Sequence, residues 1–170
     1  NNDDVQQAPS IVRPNGGDRY RRPDGRCCRH FVGSAEKQLV IWGDDGMLVT
    51  AGGRTAGYGL FVKNGRLTYV YNYLGMQRTM ITSTEKVPAG KSTLSMKFTK
   101  TGNFEGDAEI FINGKSVGKA HLDKTVPITY SIEETFDVGE DTGTPVSKNY
   151  TRDNKFSGNL DRLVVSLGQQ

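Results

Sequence analysis

Two Asn-Gly pairs, Asn64-Gly65 in FVKNGRL and Asn113-Gly114 in IFINGKSV, separate runs in which apolar and polar residues alternate. Both residues of such a pair tolerate a positive φ, which suits the type I′ turn whose twist matches that of the strands it joins. After the first pair, RLTYVYNYL places Leu67, Tyr69, Tyr71 and Tyr73 on one side, and STLSMKFTK does the same with Leu94, Met96 and Phe98 against Ser95 and Lys97. VPITYSI, through Val126, Ile128, Tyr130 and Ile132, and LDRLVVSL, through Leu163, Val165 and Leu167, keep the same spacing. A period of two belongs to half-buried strands, and no long stretch shows helical spacing. The chain is therefore expected to be all-β, an antiparallel two-sheet sandwich in which each sheet covers the apolar face of the other.

The texture changes near residue 42. RYRRPDGRCCRH clusters Arg19, Arg21, Arg22, Arg26 and Arg29 among Pro, Gly and Asp with few apolar residues, a composition that buries too little surface to order itself. Residues 1–42 read as a poorly structured segment or linker, or as a basic arm for oxyanions, and residues 43–170 as the sandwich. With 170 residues, 35% of them hydrophobic, there is chain enough for one domain with a core. The net charge of +3 is too near balance to argue for nucleic acid. No apolar run approaches the roughly 20 residues of a membrane-spanning helix, so neither nucleic acid nor membrane is expected as a partner. The cysteines, Cys27 and Cys28, are adjacent, a spacing at which a mutual disulfide is strained. A zinc site would need more ligands than they and the two histidines, His30 and His121, supply at suitable spacing.

The stretch TFDVGEDTGTPV, Thr135 to Val146, holds three acids, two glycines and a proline in twelve residues. Asp137, Glu140 and Asp141 are oxygen donors of the kind that bind calcium, without the EF-hand spacing. Glycine permits sharp turns, proline ends ladder pairing, and Asp and Thr side chains satisfy nearby amides. A structured turn is the expectation.

GYGLFVKNGRLTYVYNYLG, VPAGKSTLSMKFT, AEIFINGKSVGK, VPITYSIEETFDVGEDTGTPV and FSGNLDRLVV, in that order, resemble the carboxyl-terminal region of bacterial arylsulfatases of the alkaline-phosphatase-like superfamily. The resemblance runs from about Asp45 to Leu167 and is most specific in ETFDVGEDTGTPV. More loosely, the same order is similar to concanavalin A-like and laminin G-like sandwich modules, which implies a jelly-roll. The sulfatase resemblance does not extend to catalysis. That family needs a Cys/Ser-x-Pro-x-Arg motif, which CCRHF lacks, and metal ligands carried by a large α/β domain that is not encoded here. What it implies is a non-catalytic carboxyl-terminal accessory domain with no cofactor, whose partner is a sulfatase catalytic domain on the same or a separate chain. The loop with Asp137, Glu140, Asp141 and Thr142 is the candidate docking contact. The laminin G-like resemblance adds a structural calcium at a loop rim. The arylsulfatase resemblance also implies a periplasmic or extracellular setting.

Other chemistry is thinly supported. Glu133 and Glu134 are adjacent and would point to opposite faces of a strand, so they do not pair as glycosidase acids do. Glu105 and Asp107 could share a face, but TKTGNFEGD reads as a solvated hairpin connection. His121 has no nucleophile motif beside it and reads as a surface or partly buried strand residue. Independent catalysis is not expected. The alternative to the accessory role is a stand-alone glycan-binding module, with Trp42 and Tyr58 as candidate stacking residues; Tyr69, Tyr71 and Tyr73 share a face with Leu67 and are expected in the core. The glycine-rich Gly52–Gly59 precedes no helix and is not a phosphate loop, and Asn149-Tyr150-Thr151 fits a glycosylation acceptor pattern.

Overall fold

The structure, a computed structural model, describes residues 10–12, 35–126, 136–151 and 154–167. Every regular element among them is a strand: β1 (Ser10–Val12), β2 (Ala35–Trp42), β3 (Gly46–Gly52), β4 (Gly57–Lys63), β5 (Arg66–Tyr73), β6 (Gln77–Lys86), β7 (Lys91–Gly102), β8 (Glu105–Ile112), β9 (Lys115–Leu122), β10 (Phe136–Val138) and β11 (Asn159–Leu167). They form an antiparallel two-sheet jelly-roll sandwich. One sheet runs β1-β11-β2-β7-β8-β9 and the other β10-β3-β4-β5-β6.

Both Asn-Gly pairs make the turns expected of them. Asn64 and Gly65 have φ of 52° and 72°, Asn113 and Gly114 of 50° and 81°, so a type I′ geometry is met without strain at the glycines. The inward faces also follow the period-two pattern. Leu67, Tyr69 and Tyr71 meet Leu94, Met96 and Leu163 in one core with Leu39, Ile41, Leu60 and Ile110, while Tyr73, Phe98 and Val165 pack at its margin. Burial of such side chains stabilises by about 1.5–3 kcal/mol each. Along one edge the sheets close on each other: a Cβ at Gly118 of β9 would stand 2.5 Å from Ile81 Cγ2 of β6. Of the VPITYSI face, Val126 is buried and its amide donates to the Tyr71 hydroxyl at 2.9 Å; Ile128, Tyr130, Ile132, Glu133 and Glu134 lie outside the described residues, as do the arginines and cysteines of the amino-terminal segment.

Two features depart from expectation. Strand β2 lies inside the segment 1–42, yet it pairs along its whole length with both β7 and β11. Its burial follows the alternation except at Val40, with Ala35, Lys37, Leu39 and Ile41 buried on one face, Glu36, Gln38 and Trp42 exposed on the other, and Val40 buried as well. The ordered sandwich thus takes in Ala35–Trp42, and the boundary near residue 42 is corrected to this extent. The inward pattern is disguised because one core position is a lysine: Lys37 is 8% exposed, its ammonium 4.5 Å from the centroid of the Tyr58 ring, where the π face attracts the cation.

The second departure is that β3, β4 and β5 are buried on both faces. The chain after β10 folds back over the outside of their sheet, where Met47, Phe61, Val70 and Val146 form a small second core with Tyr150 against it. This cover is stitched to β3 by Met47 N to Asn154 O (2.7 Å) and Gly139 N to Leu48 O (3.0 Å), and its two ends are tied to each other by Phe156 N to Gly139 O (2.8 Å). Gly46 allows the approach, since its φ is 131° and a Cβ there would lie 2.4 Å from Phe156 Cα. Buried Asn72 donates to Gly53 O and Arg54 O, both at 2.9 Å, and accepts from Gly75 N at 3.0 Å, which ties the β3–β4 turn to the β5–β6 turn.

Candidate functional site

The acidic loop is a structured turn whose two aspartates, Asp137 and Asp141, are buried. Asp137, on β10, is 7% exposed and its Oδ2 accepts the amide of Thr142 at 2.8 Å and the Thr142 hydroxyl at 2.7 Å. Asp141, 1% exposed, accepts Gly143 N at 3.2 Å on one oxygen and the Tyr150 hydroxyl at 2.6 Å on the other. Burial first, then the bond to Asp141, push the Tyr150 hydroxyl well above the ordinary phenol range, so it stays a donor. These carboxylates build the cover segment and are not presented for docking; of the four candidate docking residues only Glu140 and Thr142 are half-exposed. The calcium expectation meets the same obstacle. Among the described residues no group of three or more His, Cys, Asp or Glu could hold a metal ion, and the oxygens of Asp137 and Asp141 are turned to amides and hydroxyls of their own loop.

The two candidate stacking residues are not brought together. Tyr58 is in the core, 8% exposed, with its ring centroid 6.3 Å from that of Tyr69. A ring placed there offers no open face, so Tyr58 is removed as a glycan contact; its inward position follows from pairing with Ala51 and Tyr71 in the middle of its sheet. Trp42 lies in the other sheet and is 36% exposed, with the Lys91 ammonium 5.0 Å from its ring.

The outer face of β4, β5 and β6 holds a shallow groove of about 310 Å³ beside the cover segment. Side chains that alternate outward line it: Phe61 and Lys63 from β4, Arg66 and Thr68 from β5, Met80 and Thr82 from β6, with Asn64 from the turn and Asn149 from the cover. Several are held in place. The Lys63 ammonium donates to Asn149 O, and Arg66 Nη1 donates to Ser83 O and Thr84 O, both at 2.9 Å. Phe61, 1% exposed, forms the floor, its ring stacked at a tilt of 59° on Tyr150 with centroids 5.2 Å apart. Met80 stands half-exposed at the wall. The groove therefore combines an apolar surface with amides, hydroxyls and two cations on a rigid backbone, the mixture that fixes a polar ligand with carbon-bound faces. Sequence reasoning overlooked it, although one signal was present. Residues on either side of a two-residue hairpin turn face each other, so Lys63 and Arg66 around Asn64-Gly65 form a cross-strand pair of like charges.

Glu105, Asp107 and His121 gather at the exposed β8–β9 edge. His121 Nδ1 is 2.8 Å from Asp107 Oδ1 and Nε2 is 3.9 Å from Glu105 Oε2, with the Lys119 ammonium 3.8 Å from the other Asp107 oxygen. The hydrogen bond to Asp107, aided by the surrounding acids, raises the His121 pKa from its ordinary value. His121 is thus a surface strand residue, as its sequence context suggested.

No family model matches the sequence, and no curated protein matches it. Solved structures do resemble its fold. The mouse laminin alpha1 chain, domains LG4-5, is 15% identical with a TM-score of 0.53, over 97% of this chain and 40% of that one. The LG1-3 region of the laminin alpha2 chain is 10% identical with a TM-score of 0.54, over 96% and 33%. A botulinum neurotoxin DC binding domain, in complex with SialylT, is 10% identical with a TM-score of 0.55, over 82% and 33%. The chain spans two fifths or less of the length of these proteins. At such identities the likeness is one of fold: a laminin G-like, concanavalin A-like sandwich.

Proposed function

We propose that the chain is a non-catalytic sandwich module that binds carbohydrate. The groove on the outer face of β4, β5 and β6 carries this reading, because it sets Asn, Thr, Lys and Arg donors around an apolar floor on strands that do not have to reorder to receive a ligand. One of the binding domains that share its fold has been solved in complex with SialylT, which supports the choice of ligand class. A periplasmic or extracellular setting suits such a module. A glycan array probed with the whole chain tests the reading: saturable binding to a defined set of structures is expected, and silence across the array overturns it.

A second reading is favoured by the order of motifs between Asp45 and Leu167, which resembles the carboxyl-terminal region of arylsulfatases. On it, the module is the accessory domain of a sulfatase-type enzyme. With Asp137 and Asp141 turned inward, contact would pass through the outer side of the cover, Glu140 and Thr142 included. Size-exclusion chromatography of this chain mixed with a separately produced sulfatase catalytic domain separates the two: co-elution supports the accessory role, and independent elution removes it.

A further inference from the structure

We propose that the groove recognises an acidic saccharide, a sugar chain bearing carboxylate or sulfate groups, through its two cations, Lys63 and Arg66, with Lys86, next in the register of the sheet but outside the groove's lining, extending them to a row of three; this rests on the carbohydrate reading above. The register of the sheet makes the row. Lys63 of β4 stands opposite Arg66 of β5, and Arg66 stands opposite Lys86 of β6. Like charges placed directly opposite on neighbouring strands are unfavourable, and among the described residues none of the three forms an ion pair. Two described acids that adjoin the row are committed elsewhere. Asp45 accepts the Asn64 and Gly65 amides, at 2.7 and 2.9 Å, and Glu85 is paired with Lys115. A row of cations with no ion pair among the described residues is suited to receive an anion.

The donors are aimed and only partly used. Arg66 has five N–H groups, and the bonds to Ser83 O and Thr84 O engage one nitrogen, Nη1, leaving the rest of the planar fork for a carboxylate or sulfate. The row crosses two strand spacings, about 9.5 Å, so a ligand with anionic groups repeated along an extended chain fits it better than a single small ion. Met80 supplies an exposed apolar contact for sugar carbons, and Thr82 and Asn149 supply polar groups for hydroxyls. Single-stranded nucleic acid is disfavoured, because base recognition calls for an open aromatic platform and the groove's one aromatic ring, Phe61, is buried.

The test is calorimetric titration of the full chain with four probes: hyaluronan hexasaccharide, chondroitin sulfate hexasaccharide, a neutral dextran-derived hexasaccharide and inorganic sulfate. Each is measured at low and moderate salt on the parent and on Lys63→Gln and Lys86→Gln. Lys86 is exposed, so its variant keeps the fold, which a thermal melt verifies. The acidic hexasaccharides are expected to bind, more weakly as salt rises, and each substitution to lower affinity by about tenfold, as for loss of one charge-assisted hydrogen bond. Equal binding of the neutral hexasaccharide with unchanged variants overturns the acidic class while the carbohydrate reading stands. Acidic binding indifferent to both substitutions removes it from this groove, and sulfate binding as tightly as the hexasaccharides reduces the row to a free-oxyanion site. Silence toward all saccharides sinks both readings together.

Discussion

The hydroxyl of Tyr150 donates to Asp141 at 2.6 Å, and this one bond joins the aromatic ring of the cover segment to a carboxylate that is only 1% exposed. Tyr150 also accepts the Val146 amide at 3.0 Å and lies on Phe61, so the same ring serves the acidic loop, the second core and the groove. Changing it to Phe keeps the stacking and strips a donor from a buried carboxylate. Tyr150→Phe should cost about 1.5–3 kcal/mol, the range for hydrogen bonds to charged groups, read as a lower denaturant midpoint with an unchanged slope.

Asp45 caps the β4–β5 hairpin with both oxygens, on the amides of Asn64 and Gly65. Asp45→Ala removes two charge-assisted bonds from a turn next to the groove. Amide exchange at Asn64 and Gly65 should speed up while exchange in β8 and β9 stays at the parent rate; unchanged turn protection would show that the I′ geometry holds without the cap.

Leu163 is fully buried, whereas Asp161 on the same strand is exposed, left unpaired at the bulge where the register of β11 with β2 skips from Leu160 to Arg162. Leu163→Ala should destabilise by about 2–5 kcal/mol, as cavity-forming core truncations do. Asp161→Ala should stay within about 0.5 kcal/mol of the parent. Similar melting of the two variants would mean the face assignment of β11 is wrong.

His121 should titrate above the ordinary histidine value of about 6.5, because its hydrogen bond to Asp107 favours the charged ring, with Glu105 and Asp123 adding to it. A folded-state pKa above the unfolded one means that the stabilisation is fully present below about pH 6.5 and is lost as pH rises through the folded value. Proton NMR of the imidazole in the parent and in Asp107→Asn checks this: the variant's midpoint should fall toward the ordinary value, and an unshifted one would show that the contact is not formed in solution.

Much of the fold was legible in the sequence because its signals are local. The Asn-Gly pairs mark turns by what two adjacent residues tolerate, and the alternation in RLTYVYNYL and STLSMKFTK marks faces by what each side chain prefers as neighbour. Strand β2 was missed for an equally local reason, a lysine at an inward position, which reads as solvent-facing until the ring of Tyr58 is seen beside it. The acidic loop was legible as a turn, but the direction of its carboxylates was not, since that depends on Tyr150 and on the sheet beneath.

The sequence by itself therefore determined the class, strands in antiparallel succession with two tight hairpins and an apolar inner side, because period and turn chemistry reside in contiguous residues. Only the tertiary structure decided that Tyr58 is core, that Asp137 and Asp141 face inward, that residues after β10 cover the outer face of β3–β5, and that Lys63, Arg66 and Lys86 stand in a row. Each of these depends on register between segments far apart in the chain, and register is chosen by the packing of the whole sandwich rather than by any one stretch of it.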